Sequence, residues 1–403
     1  MISKENIEIV QSTVPLLETS ISKITQVFYQ RLFNKHPQLK NVFNMTHQAK
    51  GSQPEALARA VFQYARHIAQ PAVLEKAITA IAEKHVSLHV TPEQYDVVGA
   101  NLLAAIQEVL GEDIATPVVI NAWAAAYHQL AQILISAEEQ RYAEKTATPG
   151  GFRGQKTFVV AQKVKESELI TSFYLQPKDG QPAPHFIPGQ YLAITVDIPG
   201  ESHQHTRNYS LSSSYCADYL RISIKKEGLV SHYLHEHIKV GDEILAGMPA
   251  GVFTLQNTQD PVVLIAGGVG ITPLLSMYQH LVKQTQRSVT FIQCALNSQI
   301  HAFKQETLDL AHHQTQIVTV YDQPTAQDQL DLNYDYQGWL TADILTPHVN
   351  SQATFYLCGP KAFMQHVLGL LSLLGVSEDQ VFYEFFGPSG KLDKPSAASQ
   401  VLI

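Results

Sequence analysis

A glycine-rich segment, Ala266-Gly-Gly-Val-Gly-Ile-Thr-Pro273, separates an apolar stretch from a run with helical periodicity. Glycines let a backbone approach a phosphate closely, and the first turn of a helix offers free N–H groups to an anion. Thr272 can cap the following helix, for which Pro273 suits the first position. The segment predicts a nucleotide site, with an ordinary tight turn as the alternative. Its candidate residues are Gly268, Val269, Gly270, Ile271, Thr272 and Pro273.

This loop departs from the common G-x-G-x-x-G pattern, because Pro273 occupies its third position and no acid ends the next apolar run. It resembles instead the loop of the ferredoxin-reductase superfamily, and two further motifs agree. Cys358-Gly-Pro360 is similar to the nicotinamide-side turn of that family, and Tyr383-Glu-Phe-Phe-Gly-Pro388 to the segment that covers its flavin. The resemblance implies cofactor contacts by Cys358, Gly359, Pro360, Phe385, Phe386 (the covering ring), Gly387 and Pro388.

Two more motifs, Pro188-Gly-Gln-Tyr191 and Arg207-Asn-Tyr-Ser210, stand where that superfamily binds flavin. Side chains alternate along a strand, so Arg207 and Tyr209 share one face. Arg207 suits bidentate binding of a pyrophosphate, while Tyr209 can lie on the isoalloxazine ring. Glu227-Gly-Leu-Val-Ser231 opens a helix whose N–H groups can hold the second phosphate. The implied flavin-binding residues are Tyr191, Arg207, Asn208, Tyr209, Ser210, Gly228 and Ser231.

Several histidines have spacings that a metal site could use. His232, His235 and His237 follow an H-x-x-H-x-H pattern, which we interpret as exposed histidines on a short helix. We give His203 and His205 the same interpretation, since they lie in a polar stretch that predicts a loop.

His85 follows Ile81 by four residues and therefore lies on an apolar helical face. A histidine there is commonly a satisfied core residue, but its surroundings favour a ligand. Gln53 and Leu57 are four apart and point the same way on one helix, and Tyr127 and Glu138 are eleven apart, about three turns. The spacings of Phe28, Tyr29, Phe43, Gln53 and Leu57 resemble those of globins.

The chain resembles the flavohemoglobins over roughly residues 1–390, a family that joins a globin, a flavin barrel and a nicotinamide domain in this order. The matching stretches include Phe28-Tyr-Gln-Arg-Leu-Phe, Glu83-Lys-His-Val-Ser and Pro92-Glu-Gln-Tyr-Asp-Val-Val-Gly. The resemblance makes His85 the proximal iron ligand, oriented and polarised by Tyr95 and Glu138.

The same resemblance assigns the other side of the haem. Tyr29 would donate a hydrogen bond to the distal oxygen with support from Gln53. Phe43 and Leu57 would wall the cofactor, and Lys84 resembles a position that tunes the haem and flavin potentials. Glu139 beside Glu138 leaves the identity of the acid to helical register, and His89 is a weaker rival to His85. No C-x-x-C-H motif is present, so the haem would be non-covalent haem b.

The activity that this resemblance implies is nitric oxide dioxygenation. NADH or NADPH reduces FAD, FAD passes single electrons to the haem, and O2 on the haem converts nitric oxide to nitrate. Three alternatives remain: an NAD(P)H oxidase or hydroperoxide reductase, an oxygen-binding or sensing globin, and a plain flavin reductase with a structural helical part. NADH is favoured because Asn297 and Ser298, rather than a basic cluster, follow Val289–Ala295.

Composition limits the other classes of function. The 403 residues carry a net charge of −8, with 45% hydrophobic and 16% charged residues, which argues against disorder and against a nucleic-acid partner. The three cysteines form no C-x-x-C pair, so neither a disulfide framework nor a cysteine zinc site is expected. The sequence shows no signal peptide and no apolar run of about 18 residues. We therefore expect a cytoplasmic monomer without a membrane anchor.

The patterns along the chain predict the elements that position these residues. Apolar steps of three and four predict an all-α part up to about residue 144, with Pro15 dividing its first stretch into two helices. Short strands between Pro and Gly clusters predict an antiparallel flavin-binding β-barrel, and alternating strands and helices predict a doubly wound α/β domain with a parallel sheet. The predicted divisions are a globin domain at 1–144, a linker at 145–155, a flavin domain at 156–258 and a nucleotide-binding domain at 259–403. The polar stretch from about Ser389 is expected to be disordered.

Overall fold

The computed structural model describes residues 2–43, 52–284, 286–350 and 352–386, apart from the side chains of 52–56, 58 and 59. The predictions for Gln53, Gly387, Pro388 and the C-terminal tail therefore lie outside the described residues or side chains. The described chain divides into two compact units, residues 2–155 with 193–207, and residues 156–192 with 208–386.

The first unit is built mainly of helices. Its helices are α1 (Lys4–Thr19), α2 (Ile21–Lys35), α3 (Ser52–Arg66), α4 (Glu75–Leu88), α5 (Pro92–Leu110) and α6 (Pro117–Thr146). Apolar side chains from five of them meet in one core, in which the Trp123 indole donates a hydrogen bond of 2.9 Å to Thr13 Oγ1. The predicted all-α architecture is confirmed for the described residues up to Thr146.

The prediction that Pro15 divides the first helix is wrong. Pro15 lies inside α1, and the chain turns only at Ser20, whose N–H is bonded to the carbonyls of Leu17 and Glu18. Val14 and Leu17 on either side of the proline are buried in the helical core. Burial of this apolar face outweighs the hydrogen bond that proline removes, a loss of about 3 kcal/mol in an isolated helix.

Helix α6 bears on the expectation that no apolar run of the chain is long enough to span a membrane. Among the described residues it is the one helix long and apolar enough to cross a membrane by length and composition. Its buried side chains include Trp123, Leu130 and Leu134, which belong to the core of the helical unit. We interpret it as a core helix.

Six strands form an antiparallel sheet in the order β4-β3-β6-β1-β2-β5. They are β1 (Gln155–Lys165), β2 (Ile170–Pro177), β3 (Tyr191–Val196), β4 (His205–Ser210), β5 (Leu220–Lys225) and β6 (Glu243–Gly247), with the short helix α7 (Leu229–Glu236) between β5 and β6. The extended conformation predicted for the Arg207 motif and the helix predicted after Gly228 are both present. The sequence analysis missed β6.

The second unit also contains a parallel sheet in the order β10-β9-β8-β7-β11-β12. Its strands are β7 (Val262–Gly267), β8 (Val289–Ala295), β9 (Thr315–Tyr321), β10 (Tyr336–Gln337), β11 (Thr354–Cys358) and β12 (Val381–Glu384). The helices are α8 (Ile271–Gln284), α9 (Lys304–Asp309), α10 (Ala326–Asp331), α11 (Ala342–Leu345) and α12 (Lys361–Leu373). β7 and β11 are adjacent, so the loops after them meet at one edge.

The beginning of α8 differs from the prediction. Thr272 and Pro273 were expected at the cap and first position, but α8 begins at Ile271 and both residues lie in its first turn. The Thr272 hydroxyl donates to the Val269 carbonyl at 3.0 Å. Proline is tolerated because N–H groups in the first turn need no intrahelical partner.

Candidate functional site

The structure brings His85, Tyr95 and Glu138 together from three different helices. His85 Nδ1 lies 2.8 Å from Glu138 Oε1 and 2.8 Å from the Tyr95 hydroxyl oxygen. The Tyr95 hydroxyl also donates to the same Glu138 oxygen. With Nδ1 held in this way, Nε2 is the nitrogen of His85 that remains to bind a metal.

Burial strengthens this arrangement. The Glu138 side chain is 5% exposed, whereas that of His85 is 28% exposed. Burial and the hydrogen bond to Glu138 raise the pKa of Tyr95 well above its usual range, so the phenol keeps its proton and remains a donor. The Tyr127 hydroxyl donates to the backbone carbonyl of Tyr95 at 2.8 Å and fixes its position.

Tyr127 needs a glycine beside it. A Cβ atom on Gly99 would lie 2.4 Å from Tyr127 Cε1, well inside van der Waals contact. Gly99 therefore lets α5 approach the ring of Tyr127 on α6, and Tyr127 in turn holds Tyr95 in position.

Glu138 and Glu139 differ sharply in surroundings. Glu139 is exposed, and both of its carboxylate oxygens accept hydrogen bonds from Arg153, at 2.8 and 2.6 Å. Glu138 faces inward to His85. The register counted from Tyr127 therefore selected the residue that contacts the histidine.

The predicted distal residues are aromatic neighbours. The Tyr29 ring makes edge contacts with Phe28 at 4.6 Å and with Phe43 at 5.7 Å between ring centroids. Phe43 and Leu57 are partly buried and pack on the helical core. An apolar wall of this kind, left partly open, suits one edge of a large planar cofactor.

Two residues near His85 have distinct environments. Lys84 is exposed. His89 ends α4 in a left-handed conformation with φ 58°, and burial lowers its pKa to about 4. His89 is therefore neutral at pH 7. In the part of the chain that the structure describes, however, neither the Glu138 carboxylate nor the Tyr95 phenol, which orient His85, contacts His89.

These features fit a haem group. An imidazole that is held at Nδ1 by a buried carboxylate presents a strongly donating Nε2, which is the usual haem-iron ligand atom. The side chain is partly exposed, and the apolar residues Phe43, Leu57 and Ile81 are also only partly buried.

The Pro188-Gly-Gln-Tyr191 segment forms a tight turn in the second unit. Gly189 has φ +101°, and a Cβ atom there would lie 2.0 Å from the Phe253 carbonyl oxygen. Gln190 accepts a hydrogen bond from the Ile187 N–H at 3.0 Å, and Tyr191 is buried with its ring beside Gly251. This turn holds the start of β3 in place.

On β4, Arg207 and Tyr209 are half-buried, Asn208 between them is exposed and Ser210 is buried. Arg207 Nη1 donates to the Thr206 carbonyl at 2.8 Å. The extended conformation of β4 is consistent with the prediction that the guanidinium and the phenol ring share one face. A cation and an aromatic ring on one face of a strand fit a pyrophosphate joined to a flat ring system.

The start of α7 is capped by its own side chain. Ser231 Oγ accepts hydrogen bonds from the backbone N–H groups of Glu227 at 2.9 Å and Gly228 at 2.8 Å. Both N–H groups were candidate phosphate donors, so Ser231 preorganises this helix start instead of pointing its hydroxyl outward.

The loops after β7 and β11 are in direct contact. A Cβ atom on Gly270 would lie 2.2 Å from the Cys358 carbonyl oxygen, so only glycine fits. Gly267 and Gly359 lie against the Phe363 ring, where a Cβ on either would come within 2.6 Å of Cδ1. The two motifs therefore form one surface beside the start of α8, which suits a dinucleotide phosphate.

The Tyr383 motif is described up to Phe386. Tyr383 and Phe386 are each 43% exposed, whereas Phe385 packs on the α/β core. Glu384 stands opposite Cys358 in the β11–β12 pairing, and burial raises the pKa of its carboxyl to about 8. An exposed Phe386 ring fits the predicted role of covering a flavin.

Sequence analysis missed one polar cluster in the second unit. Arg221 on β5 makes a two-bonded ion pair with Glu306 on α9, with both N–O distances 3.0 Å. Gln279 on α8 donates to the same carboxylate, and its own side-chain oxygen accepts from the Ser214 N–H at 2.8 Å. These bonds fix the antiparallel sheet against the α/β elements. No motif signals them, because the partners are far apart in sequence.

Comparison with protein families divides the chain into three matches. A globin model matches residues 26–134, an oxidoreductase FAD-binding domain model matches 157–255 and an oxidoreductase NAD-binding domain model matches 264–368. With the observed helices and sheets, these matches confirm the predicted fold class.

Known proteins match over nearly the whole chain. The flavohemoprotein of Bacillus cereus is 45% identical over 97% of this chain and 100% of its own length, and that of Pseudomonas aeruginosa is 45% identical over 98% and 100%. The structure of flavohemoglobin from Malassezia yamatoensis with bound FAD and heme superposes with a TM-score of 0.85, at 27% identity over 96% of this chain and 100% of that chain.

One further solved structure covers the C-terminal part. The flavohem-like FAD/NAD-binding domain of nitric oxide dioxygenase from Vibrio cholerae is 38% identical over 58% of this chain and 99% of that chain, with a TM-score of 0.53. Full-length similarity to the flavohemoproteins, the three family matches in order and the paired His85 and Glu138 agree. The chain belongs to the flavohemoprotein family.

Proposed function

We propose that this chain is an NAD(P)H-dependent nitric oxide dioxygenase that converts nitric oxide and O2 to nitrate. The similarity to flavohemoproteins over the full length supports this activity, as does the similarity to the Vibrio cholerae enzyme domain. The observation that carries the proposal is the contact of His85 with buried Glu138 and Tyr95. Oxygen storage alone does not require so strongly polarised an imidazole.

When bound, haem supplies the iron redox chemistry that joins O2 to nitric oxide, and FAD divides a hydride into single electrons. His85 would hold the iron through Nε2, the ring nitrogen that Glu138 and Tyr95 leave available. Glu138 accepts the Nδ1 proton in a hydrogen bond and so makes the imidazole a stronger electron donor. Tyr95 donates to Glu138 and keeps that carboxylate oriented.

On the opposite side, we assign Tyr29 to donate a hydrogen bond to the O2 substrate, with Gln53 in support. Phe43 and Leu57 exclude water from the pocket. Lys84, next to the proposed iron ligand in sequence, would supply positive charge on this part of α4. A distal haem pocket directs oxygen chemistry by donating hydrogen bonds and by excluding water.

In the reductase part, Arg207 and Ser231 serve the FAD phosphates, the former by direct contact and the latter by shaping the α7 start. Tyr191 and Tyr209 position the flavin ring. Gly270 keeps the loop after β7 tight against Cys358, so the coenzyme phosphates can reach the start of α8.

We propose NADH as the preferred donor. The carboxylate of Asp328 accepts hydrogen bonds from the Ser298 and Thr325 N–H groups, at 3.3 and 2.9 Å. Although burial opposes it, these hydrogen bonds hold the pKa of Asp328 well below its usual range. A fixed negative charge beside Ser298, where a 2′-phosphate would bind, repels NADPH.

The proposed organisation follows the sequence divisions. Residues 1–144 form the haem module, 145–155 a linker, 156–258 the FAD module and 259–403 the NAD(P)H module. We propose a monomer, since one chain carries all three cofactor domains, and we place it in the cytoplasm as the sequence analysis does.

The test is turnover of the purified holoenzyme. With NADH, O2 and nitric oxide, we expect nitrate to form in equal amount to the nitric oxide consumed, faster with NADH than with NADPH. A visible spectrum with haem and flavin bands excludes a plain flavin reductase. Superoxide, peroxide reduction or slow nitric oxide removal without nitrate would contradict the proposal and favour an oxidase or an oxygen-binding globin.

Glu138→Gln is expected to lower nitric oxide turnover about 10- to 100-fold, the usual cost of removing a partner that orients a metal-bound histidine. The amide keeps the size of the side chain but lowers its negative charge, so the electron donation from His85 weakens. Glu139→Gln is the matched control, because it loses only an exposed ion pair with Arg153. The measurements are steady-state nitrate formation and the iron–histidine stretching frequency by resonance Raman spectroscopy. Equal rates for the two variants would refute the role of Glu138.

A further inference from the structure

Glu201, His203 and His205 lie together at the hairpin between β3 and β4. Among the residues that the structure describes, they form the one group of at least three His, Cys, Asp or Glu side chains whose potential ligand atoms lie within 4.8 Å of one another. His205 Nε2 is 3.2 Å from Glu201 Oε2, and the two imidazole rings are 4.6 Å apart.

The prediction that both histidines are exposed loop residues is wrong for His205. His205 begins β4 and is 5% exposed, because its side chain points inward from the strand. His203 is half-buried, and the hydroxyl of Ser202 lies 3.2 Å from its Nδ1.

The second nitrogen of His203 is the unusual atom of this group. His203 Nε2 is buried and has no hydrogen-bond partner among the described residues. A buried ring nitrogen without a partner costs free energy, about 1–3 kcal/mol when it is a donor or acceptor in need of water. A bound cation would satisfy it.

We propose that Glu201, His203 and His205 bind a divalent transition-metal ion of the Zn²⁺ class through two imidazole nitrogens and one carboxylate oxygen. Two imidazoles and a carboxylate suit Zn²⁺, whereas Mg²⁺ and Ca²⁺ prefer oxygen ligands. Ligand atoms around a tetrahedral Zn²⁺ are about 3.3 Å apart, close to the observed His205–Glu201 distance. Water completes the coordination.

The surroundings support this donor set. Ser202 holds His203 Nδ1, which is the second interaction that a metal-bound histidine normally has. Glu201 is exposed, so its side chain can rotate to meet an ion. A pocket of about 660 Å³, lined by Asn41, Asp197 and residues 198–204, gives access from solvent.

A hydrogen bond joins the hairpin to a helical segment of the same unit. The N–H of Gln204, between the two histidines, donates to the Asn41 side chain at 3.0 Å. Asn41 ends a short 3₁₀ helix, Pro37–Asn41, two residues before Phe43. A metal ion would therefore rigidify the hairpin that contacts this segment.

The experiment measures Zn²⁺ binding to the full-length holoprotein. The protein is first freed of adventitious metal with a chelator that leaves haem iron in place. It is then dialysed against rising Zn²⁺ concentrations, and zinc and iron are counted by inductively coupled plasma mass spectrometry. We expect one zinc ion per haem iron to bind more tightly than any further zinc ion. The affinity for this first zinc ion should fall at least about 10-fold in each of the variants His203→Gln, His205→Gln and Glu201→Gln.

The control is the double variant His312→Gln/His313→Gln. It removes two histidines that are adjacent in sequence, with ring centroids 5.5 Å apart, and that belong to no group of three possible metal ligands among the described residues. It should keep the tight zinc. Glu201 is exposed, so Glu201→Gln tests the site even where a histidine variant fails to fold, as judged by haem and flavin absorption. Unchanged binding in Glu201→Gln, or a zinc-edge X-ray absorption spectrum without two imidazoles at about 2.0–2.1 Å, would overturn the proposal.

Discussion

His85→Ala is expected to remove haem from the protein and abolish nitric oxide consumption, while the flavin remains bound and reducible. Among the described residues, His85 is the histidine that both Glu138 and Tyr95 contact, so its loss removes the proposed iron ligand and leaves the buried carboxylate with Tyr95 but without its imidazole partner. The measurements are the Soret absorbance per flavin, nitrate formation and NADH-dependent ferricyanide reduction. Ferricyanide accepts electrons directly from flavin, so that activity should change less than about twofold.

The matched control is His89→Gly. His89 is the other histidine at the end of α4, and its left-handed φ of 58° suits glycine, so the change adds no backbone strain. Haem content should be unchanged. A red-brown His85→Ala protein, or haem loss in His89→Gly instead, would show that the iron ligand has been assigned to the wrong residue.

Tyr29→Phe is expected to lower nitric oxide turnover about 100- to 1,000-fold, as for removal of one preorganised donor at a reacting oxygen. Phenylalanine keeps the ring contacts of Tyr29 with Phe28 and Phe43, so the pocket keeps its shape. Stopped-flow mixing should show flavin reduction by NADH at the wild-type rate, because the hydroxyl has no part in that step. The O2 dissociation rate should rise as well.

Tyr64→Phe provides the comparison for Tyr29→Phe. Tyr64 is another buried tyrosine of the same core, 2% exposed, and burial raises its pKa to about 12. We assign no substrate contact to the Tyr64 hydroxyl, so turnover of the Tyr64→Phe variant should remain near that of the wild type. If both variants lose activity equally, the Tyr29 effect is one of packing, and the assigned hydrogen bond to O2 is wrong.

Much of the architecture could be predicted from the sequence because periodicity reports burial directly. Steps of three and four located the helices of the first unit, and the apolar runs at 262–266 and 354–357 located adjacent strands of the parallel sheet. The errors lie where tertiary packing overrides a local preference. Pro15 remains inside α1 because its neighbours are buried, and α8 begins before Thr272 because the glycine turn is already helical at 268–270.

The candidate site shows the same division. Glu138 could be selected over Glu139 because helical register is a local property. The ion pair of Arg221 with Glu306 could not, because 85 residues separate its partners. His205 was assigned to a loop because its polar neighbours hide the start of β4, and burial of a single strand residue leaves no periodic signal.

Phe363 has a consequence for redesign of coenzyme preference. Its ring lies against Gly267 of one nucleotide loop and Gly359 of the other, with no space for a methyl group on either side. Neither glycine can therefore be replaced without moving the Phe363 ring that also packs on the other. A library that aims to change the electron donor should keep both glycines constant and vary the residues that follow β8, which do not contact the Phe363 ring at these two positions.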